Sequence, residues 1–77
     1  MNLPAKLRKA RIIKEYSMLE VAKLAGIART TYSRYEHGTS EPNSETLAKL
    51  IKVLDIDAND LFRDEDSSRT INAYVIE

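Results

Sequence analysis

Eight basic residues, Lys6, Arg8, Lys9, Arg11, Lys14, Lys23, Arg29 and Arg34, fall within residues 1–34, where only Glu15 and Glu20 oppose them. That segment therefore carries +6 and the rest of the chain −6, an asymmetry hidden by the formal net charge of zero. Ammonium and guanidinium groups gathered in one half suggest a face that binds anions, with the acidic half turned elsewhere; the alternative is a set of solvated helix faces. Other chemistries find little support. With no cysteine there are no disulfides, thiolate nucleophiles or cysteine-ligated metals. The single histidine, His37, cannot build a metal cluster alone, and it stands beside Gly38 with no acid or nucleophile at a recognisable spacing. The six acidic residues between Asp55 and Asp66 lack the glycine and ligand spacing of a calcium loop. Neither a glycine-rich phosphate loop nor a paired-carboxylate signature appears, so no enzyme, metal or cofactor is expected.

Positioning a basic face takes folded elements, and 77 residues with 43% hydrophobic and 31% charged content suffice for one small domain. No apolar run approaches the roughly 18 residues of a membrane span, and the N-terminus lacks the apolar stretch of a signal peptide. A cytoplasmic protein is expected.

Leu3, Leu7, Ala10 and Lys14 lie at helical spacing, and Pro4 suits only a first turn, so a helix is predicted over residues 3–16. Ser17-Met18-Leu19-Glu20 fits a capping box and starts a second helix, with Leu19, Val21, Ala22 and Leu24 as its apolar side and Gly26 as its stop. A third, short helix is predicted over 28–37, with Tyr32 and Tyr35 facing the core and Gly38 closing it. Turn formers around Pro42 lead to a mostly buried fourth helix over 44–54, striped by Leu47, Leu50, Ile51 and Leu54. Asp57 is placed to cap a fifth helix over 58–63. Residues 64–68 read as a polar linker, and residues 70–76 return to β-branched and aromatic types in loose alternation, as an extended tail.

Two helices joined by a short glycine-containing turn, the second opening on polar and basic residues, form a unit that can set a helix end in the DNA major groove. Leu7, Arg11, Lys14, Ser17, Glu20-Val21-Ala22, Gly26-Ile27, Tyr32-Ser33-Arg34-Tyr35-Glu36, Gly38, Pro42, Leu47, Leu50, Leu54 and Leu61-Phe62 together resemble the Cro/C1-type (Xre) helix-turn-helix family. The resemblance covers about residues 3–63 and rests on many spaced positions agreeing at once. It implies an all-α fold, a compact five-helix bundle of the lambda repressor-like kind. It also implies operator binding, usually by a homodimer, in bacterial, phage or plasmid regulation. The expected layout is a helix-turn-helix domain over residues 1–64, followed by an acidic linker and tail over 65–77.

Carried over position by position, the resemblance puts Arg29, Thr30, Thr31 and Arg34 on the groove-facing side of the third helix, as base readers. A guanidinium bonds O6 and N7 of guanine together, worth about 1–3 kcal/mol of discrimination, and threonine methyls suit the thymine methyl. Phosphate contacts are expected from Ser17, Ser33, Thr39 and Ser40, extended by Lys6, Arg8 and Lys9; Arg29 and Arg34 are alternatives for the same backbone role. Arg11 and Glu36 hold the positions of a structural ion pair between the first and third helices.

Three departures from the family pattern involve four positions. Met18 replaces a residue that is often a DNA-contacting glutamine, Ala28 stands where a serine or threonine usually caps the third helix, and Ile12 and Ile13 replace polar residues. The tail is expected to pair with its equivalent in a second chain, to cover the first helix near Ile12 and Ile13, or to dock a protein partner. The leading reading is a sequence-specific regulator of transcription, most simply a repressor on a two-fold operator. An antitoxin-type autoregulator whose acidic linker and tail bind a toxin, or an interaction module that has lost DNA binding, are the alternatives.

Overall fold

A computed structural model describes residues 2–57 and 59. Four helices lie among them: α1 (Leu3–Ile13), α2 (Met18–Ala25), α3 (Arg29–His37) and α4 (Ser44–Leu54). No strand occurs among the described residues. The count is thus four rather than five; the fifth helix expected over 58–63 lies outside the described residues except for Asn59, which is helical. Asp57 Oδ1 accepts from the Asn59 amide at 2.9 Å. The polar linker and tail expected beyond it also lie outside the described residues.

Each helix starts and stops for a local reason. Asn2, Ser17 and Asn43 cap α1, α2 and α4 by accepting from the amides of Ala5, Glu20 and Thr46. Ala28 has an extended backbone in the equivalent place before α3 but no acceptor to offer. Gly26 and Gly38 end α2 and α3 in the left-handed conformation, at φ 72° and 78°. Two non-glycines do the same work: Glu15 follows α1 at φ 60° and Asp55 follows α4 at φ 56°.

Glu15 is also why α1 is shorter than its apolar spacing suggests. The Tyr16 amide turns back to the Arg11 carbonyl at 3.1 Å and the Glu15 amide to that of Ile12 at 2.9 Å, the paired bonds of a Schellman stop. The helix therefore ends at Ile13, and residues 14–16 form the turn that carries the chain into the Ser17 cap.

One small core joins the four helices: Leu7 from α1, Val21, Ala22 and Ala25 from α2, Tyr32 and Tyr35 from α3, Leu50 and Leu54 from α4. Helix α3 packs against both α1 and α2, while α2 also rests on α4. The apolar side of α2 differs from expectation. Leu19 and Leu24 are exposed, whereas Ala25, at the right interval from Val21 and Ala22, is buried and Met18 packs beside them. A helical period of 3.6 cannot hold residues 19, 21, 22 and 24 on one face; the four hydrophobic types misled where the spacing does not. Nor is α4 mostly buried: Leu50 and Leu54 are enclosed, Leu47 and Ile51 half-buried, and Ala48, Lys49 and Lys52 exposed.

Candidate nucleic-acid interface

The helix-turn-helix unit is α2, the turn Gly26-Ile27-Ala28, and α3. The turn holds because Gly26 takes the left-handed conformation while the Ile27 amide bonds back to the Ala22 carbonyl at 2.9 Å, with Ile27 packed against the core. A reciprocal capping box fixes the start of α2: the Ser17 amide donates to Glu20 Oε1 at 2.7 Å, and the Glu20 amide donates to Ser17 Oγ at 3.0 Å. Ser17 thus accepts from the helix while its hydroxyl proton stays available to an outside acceptor.

Helix α3 has two unlike sides. Inward, Tyr32 and Tyr35 fill the core. Outward, Arg29, Thr30 and Arg34 are exposed, Thr30 and Arg34 one turn apart, with Thr31 and Ser33 half-buried at the edges. The amides of Arg29, Thr30 and Thr31 precede the first intrahelical bond, which the Tyr32 amide makes to the Ala28 carbonyl at 3.1 Å. With no side chain capping them, they face outward at the positive end of the helix, an arrangement that suits an anion or water.

At the far end of α3, polar groups are committed to the helix itself. The Thr39 amide and, at 3.4 Å, its hydroxyl both donate to the Arg34 carbonyl, so Thr39 finishes the helix. His37 Nδ1 lies 2.7 Å from the Ser33 carbonyl and 3.3 Å from Ser33 Oγ. A carbonyl only accepts, so Nδ1 bears the proton there, leaving Nε2 pointed away from Ser33. Ser40 is half-buried in the following loop.

Behind α3 lies the network that orients it. Arg11 Nε donates to Glu36 Oε2 at 2.6 Å and Nη2 to Oε1 at 3.1 Å, a two-armed pair; Nη1 donates to the Tyr16 carbonyl at 3.0 Å. Tyr32 adds its hydroxyl, donating to Glu36 Oε2 at 2.5 Å. The Glu36 side chain is 2% exposed and that of Arg11 15%, so the charges are largely removed from water and held by each other. Hydrogen bonding to Glu36 raises the Arg11 pKa against the opposing effect of burial. Burial first, then the bond to Glu36, pushes the Tyr32 phenol far above its ordinary range, with Arg11 pulling slightly the other way. One carboxylate therefore ties α3 to α1 and, through Arg11, to the turn before α2.

The structure thus places Arg29, Thr30 and Arg34 on the outer side of α3, Thr31 and Ser33 at its edges, Ser17 at the head of α2, and Thr39 and Ser40 just past the end of α3. Lys6, Arg8 and Lys9 lie along α1. Met18, half-buried among apolar side chains, presents no polar atom there. Tyr32 as a partner of Glu36 was missed from the sequence, although their spacing of four on one helix was the available signal.

The sequence model of the Helix-turn-helix family matches residues 7–61, from the buried Leu7 of α1 to beyond α4. The chain belongs to the Cro/C1-type helix-turn-helix family of DNA-binding transcriptional regulators. The prophage-derived uncharacterized HTH-type regulator YonR of Bacillus subtilis (strain 168) is 38% identical over 58 residues, covering 75% of this chain and 54% of its own length. The CTXphi cryptic-phage transcriptional repressor RstR of Vibrio cholerae is 33% identical over 64 residues, 83% of this chain and 58% of its own. The HTH-type regulator AnsR of Bacillus subtilis (strain 168) is 37% identical over 70 residues, 91% of this chain and 60% of its own. The chain thus spans little more than half the length of these curated relatives. No solved structure gives a significant match. Residues 7–61 take in all of α2 and α3, the two helices of the motif. Among the described residues no helix is long and apolar enough to cross a membrane, and no group of histidine and acidic side chains stands ready to hold a metal.

Proposed function

We propose that this chain recognises a two-fold operator in duplex DNA as a homodimer, sets α3 in the major groove, and represses the promoter beneath it from the cytoplasm. The observation that carries the reading is the division of α3 into a clamped inner side, Tyr32, Tyr35 and Glu36, and an open outer side, Arg29, Thr30 and Arg34. A rigid helix with an exposed guanidinium at its first residue is the arrangement that base reading needs, since discrimination depends on holding donors in fixed register with the base edges.

Arg29 is the base reader, Thr30 and Thr31 contribute methyl contacts, and Arg34 reads or anchors one turn further along. Ser17 donates its free hydroxyl proton to a phosphate, Ser33 and Ser40 donate from the edge of the groove, and Lys6 and Lys9 lengthen the backbone contact along α1. Thr39 joins them by exchanging its long bond to the Arg34 carbonyl for one to a phosphate. In a dimer the two copies of α3 would lie about 34 Å apart, one turn of DNA. Repression is the role named for the RstR relative and the simplest outcome of occupying a promoter.

Selection from random duplex DNA, followed by titration of the enriched site at two salt concentrations with the wild type and Arg29→Ala, tests the proposal. An inverted repeat, affinity that falls with salt, and discrimination lost at one base pair in the variant are the expected results. No enrichment and no salt-dependent binding would sink it, and would move attention to protein partners, a toxin among them.

A further inference from the structure

On the side of α1 turned away from the core, Ala5, Arg8, Lys9, Ile12 and Ile13 line a shallow depression of 310 Å³. Their positions follow the 3-to-4 spacing of a helix that buries one stripe, yet Ile12 and Ile13 are 53% and 70% exposed. Arg8 and Lys9 enter no ion pair among the described residues. The surface is therefore apolar at one end and basic at the other, and it asks for an occupant that is acidic and apolar together. A second copy of the same face does not qualify, because α1 contains no acidic residue and would bring Arg8 and Lys9 against their own kind.

The end of this chain has that chemistry. Asp64, Glu65 and Asp66 are followed by Ile71, Val75 and Ile76. The segment also starts in the right place. Lys14 Nζ meets Asp55 Oδ2 at 3.7 Å, which sets the end of α4 beside the end of α1, next to Ile13. From Asp57 to Ile71 the chain can reach about 46 Å when extended, against about 16 Å for the whole of α1. We propose that residues 64–76 dock in this depression of their own chain, the acidic run against Arg8 and Lys9 and the isoleucine and valine side chains against Ile12 and Ile13. Docked there, the acidic run competes with phosphate for Lys9.

The test uses the 77-residue chain without DNA, so its failure leaves the operator reading standing. Amide proton–nitrogen resonances are compared between the wild type, a triple variant Asp64→Asn, Glu65→Gln, Asp66→Asn, and a double variant Ile71→Ser, Val75→Ser. The resonances of Arg8, Lys9, Ile12 and Ile13 should move in both variants while those of Val21 and Leu50 in the core stay, which also certifies folding. The reciprocal variant Lys9→Gln should move the resonances of residues 64–66. Groove resonances unchanged in both tail variants would overturn the proposal. Shifts that grow with protein concentration would overturn it as well, by assigning the groove to the tail of another copy.

Discussion

Arg11 holds Glu36 with both arms of its guanidinium, at 2.6 and 3.1 Å, across the interface of α1 and α3. The outward side of α3 is thereby set from behind, by a residue 25 positions earlier that also holds the turn between α1 and α2 through the Tyr16 carbonyl. The pair's first product is geometry. Its contribution to stability follows from what happens when one partner is taken away.

Glu36→Leu and Arg11→Met each leave a charge without its partner in a nearly dry site. Either variant should lose about 3–5 kcal/mol, a large share of the roughly 5–15 kcal/mol available to a domain. Urea denaturation measures this. The double variant Arg11→Met, Glu36→Leu should be far more stable than the two losses added together, because apolar groups of similar volume replace a buried pair at little cost. Additive losses would show that the two residues act independently.

Tyr32 donates to the same carboxylate, and its raised pKa gives the bond a pH signature. A group whose pKa is higher in the folded state stabilises that state fully below its unfolded value, about 10 for a phenol, and loses the contribution as pH climbs above it. Stability should therefore be intact at neutral pH and fall above about pH 10. Tyr32→Phe, which removes the hydroxyl and about 1–3 kcal/mol with it, should flatten that alkaline fall. Denaturation midpoints from pH 8 to 11 compare the two, and parallel curves would refute the assignment.

Left-handed stops end each of α1 to α4, two at glycine and two not. At Glu15 an L side chain occupies φ 60° while remaining exposed, so Glu15→Gly should stabilise by about 0.5–1 kcal/mol, the relief of strain exceeding the added chain entropy. Gly26→Ala should cost about 1 kcal/mol for backbone reasons alone, since a Cβ there meets nothing within 4 Å. Gly38→Ala should cost a similar amount, its Cβ touching Pro4 Cγ at an ordinary 3.5 Å. Thermal unfolding ranks the three; a neutral Gly26→Ala would contradict the backbone argument.

The parts of this fold legible in the sequence are those written in local chemistry. The Ser17–Glu20 box, the glycine stops at 26 and 38, and the bounds of α4 all follow from short-range rules that tertiary packing has no reason to override. Unlike Asp55, whose short polar side chain tolerates the left-handed stop, Glu15 carries no local mark of it, and α1 reads three residues too long. The apolar types of Leu19 and Leu24 similarly conceal that their spacing points them away from the core. At the candidate interface, the outward place of Arg29, Thr30 and Arg34 follows once Tyr32 and Tyr35 face inward. The hydroxyl bond from Tyr32 to Glu36 and the commitment of Thr39 to the Arg34 carbonyl depend on side-chain directions that sequence spacing constrains only loosely.

Ala28 separates the stability of α3 from its proposed work. Its backbone, at φ −70° and ψ 146°, already resembles that of the working caps Ser17 and Asn43, so Ala28→Ser and Ala28→Asp should each add an acceptor without rearrangement and stabilise by about 1 kcal/mol. Toward DNA the two should diverge. Serine leaves the charge beside Arg29 unchanged and steadies the helix, so operator affinity should hold or rise slightly. Aspartate sets a negative charge at the helix end proposed to meet the phosphates, so affinity should fall, and fall most at low salt where repulsion is least screened. Thermal unfolding together with fluorescence-anisotropy titration at two salt concentrations reads both effects. Equal DNA affinity for the two variants would place the start of α3 away from the nucleic acid, whatever their stabilities.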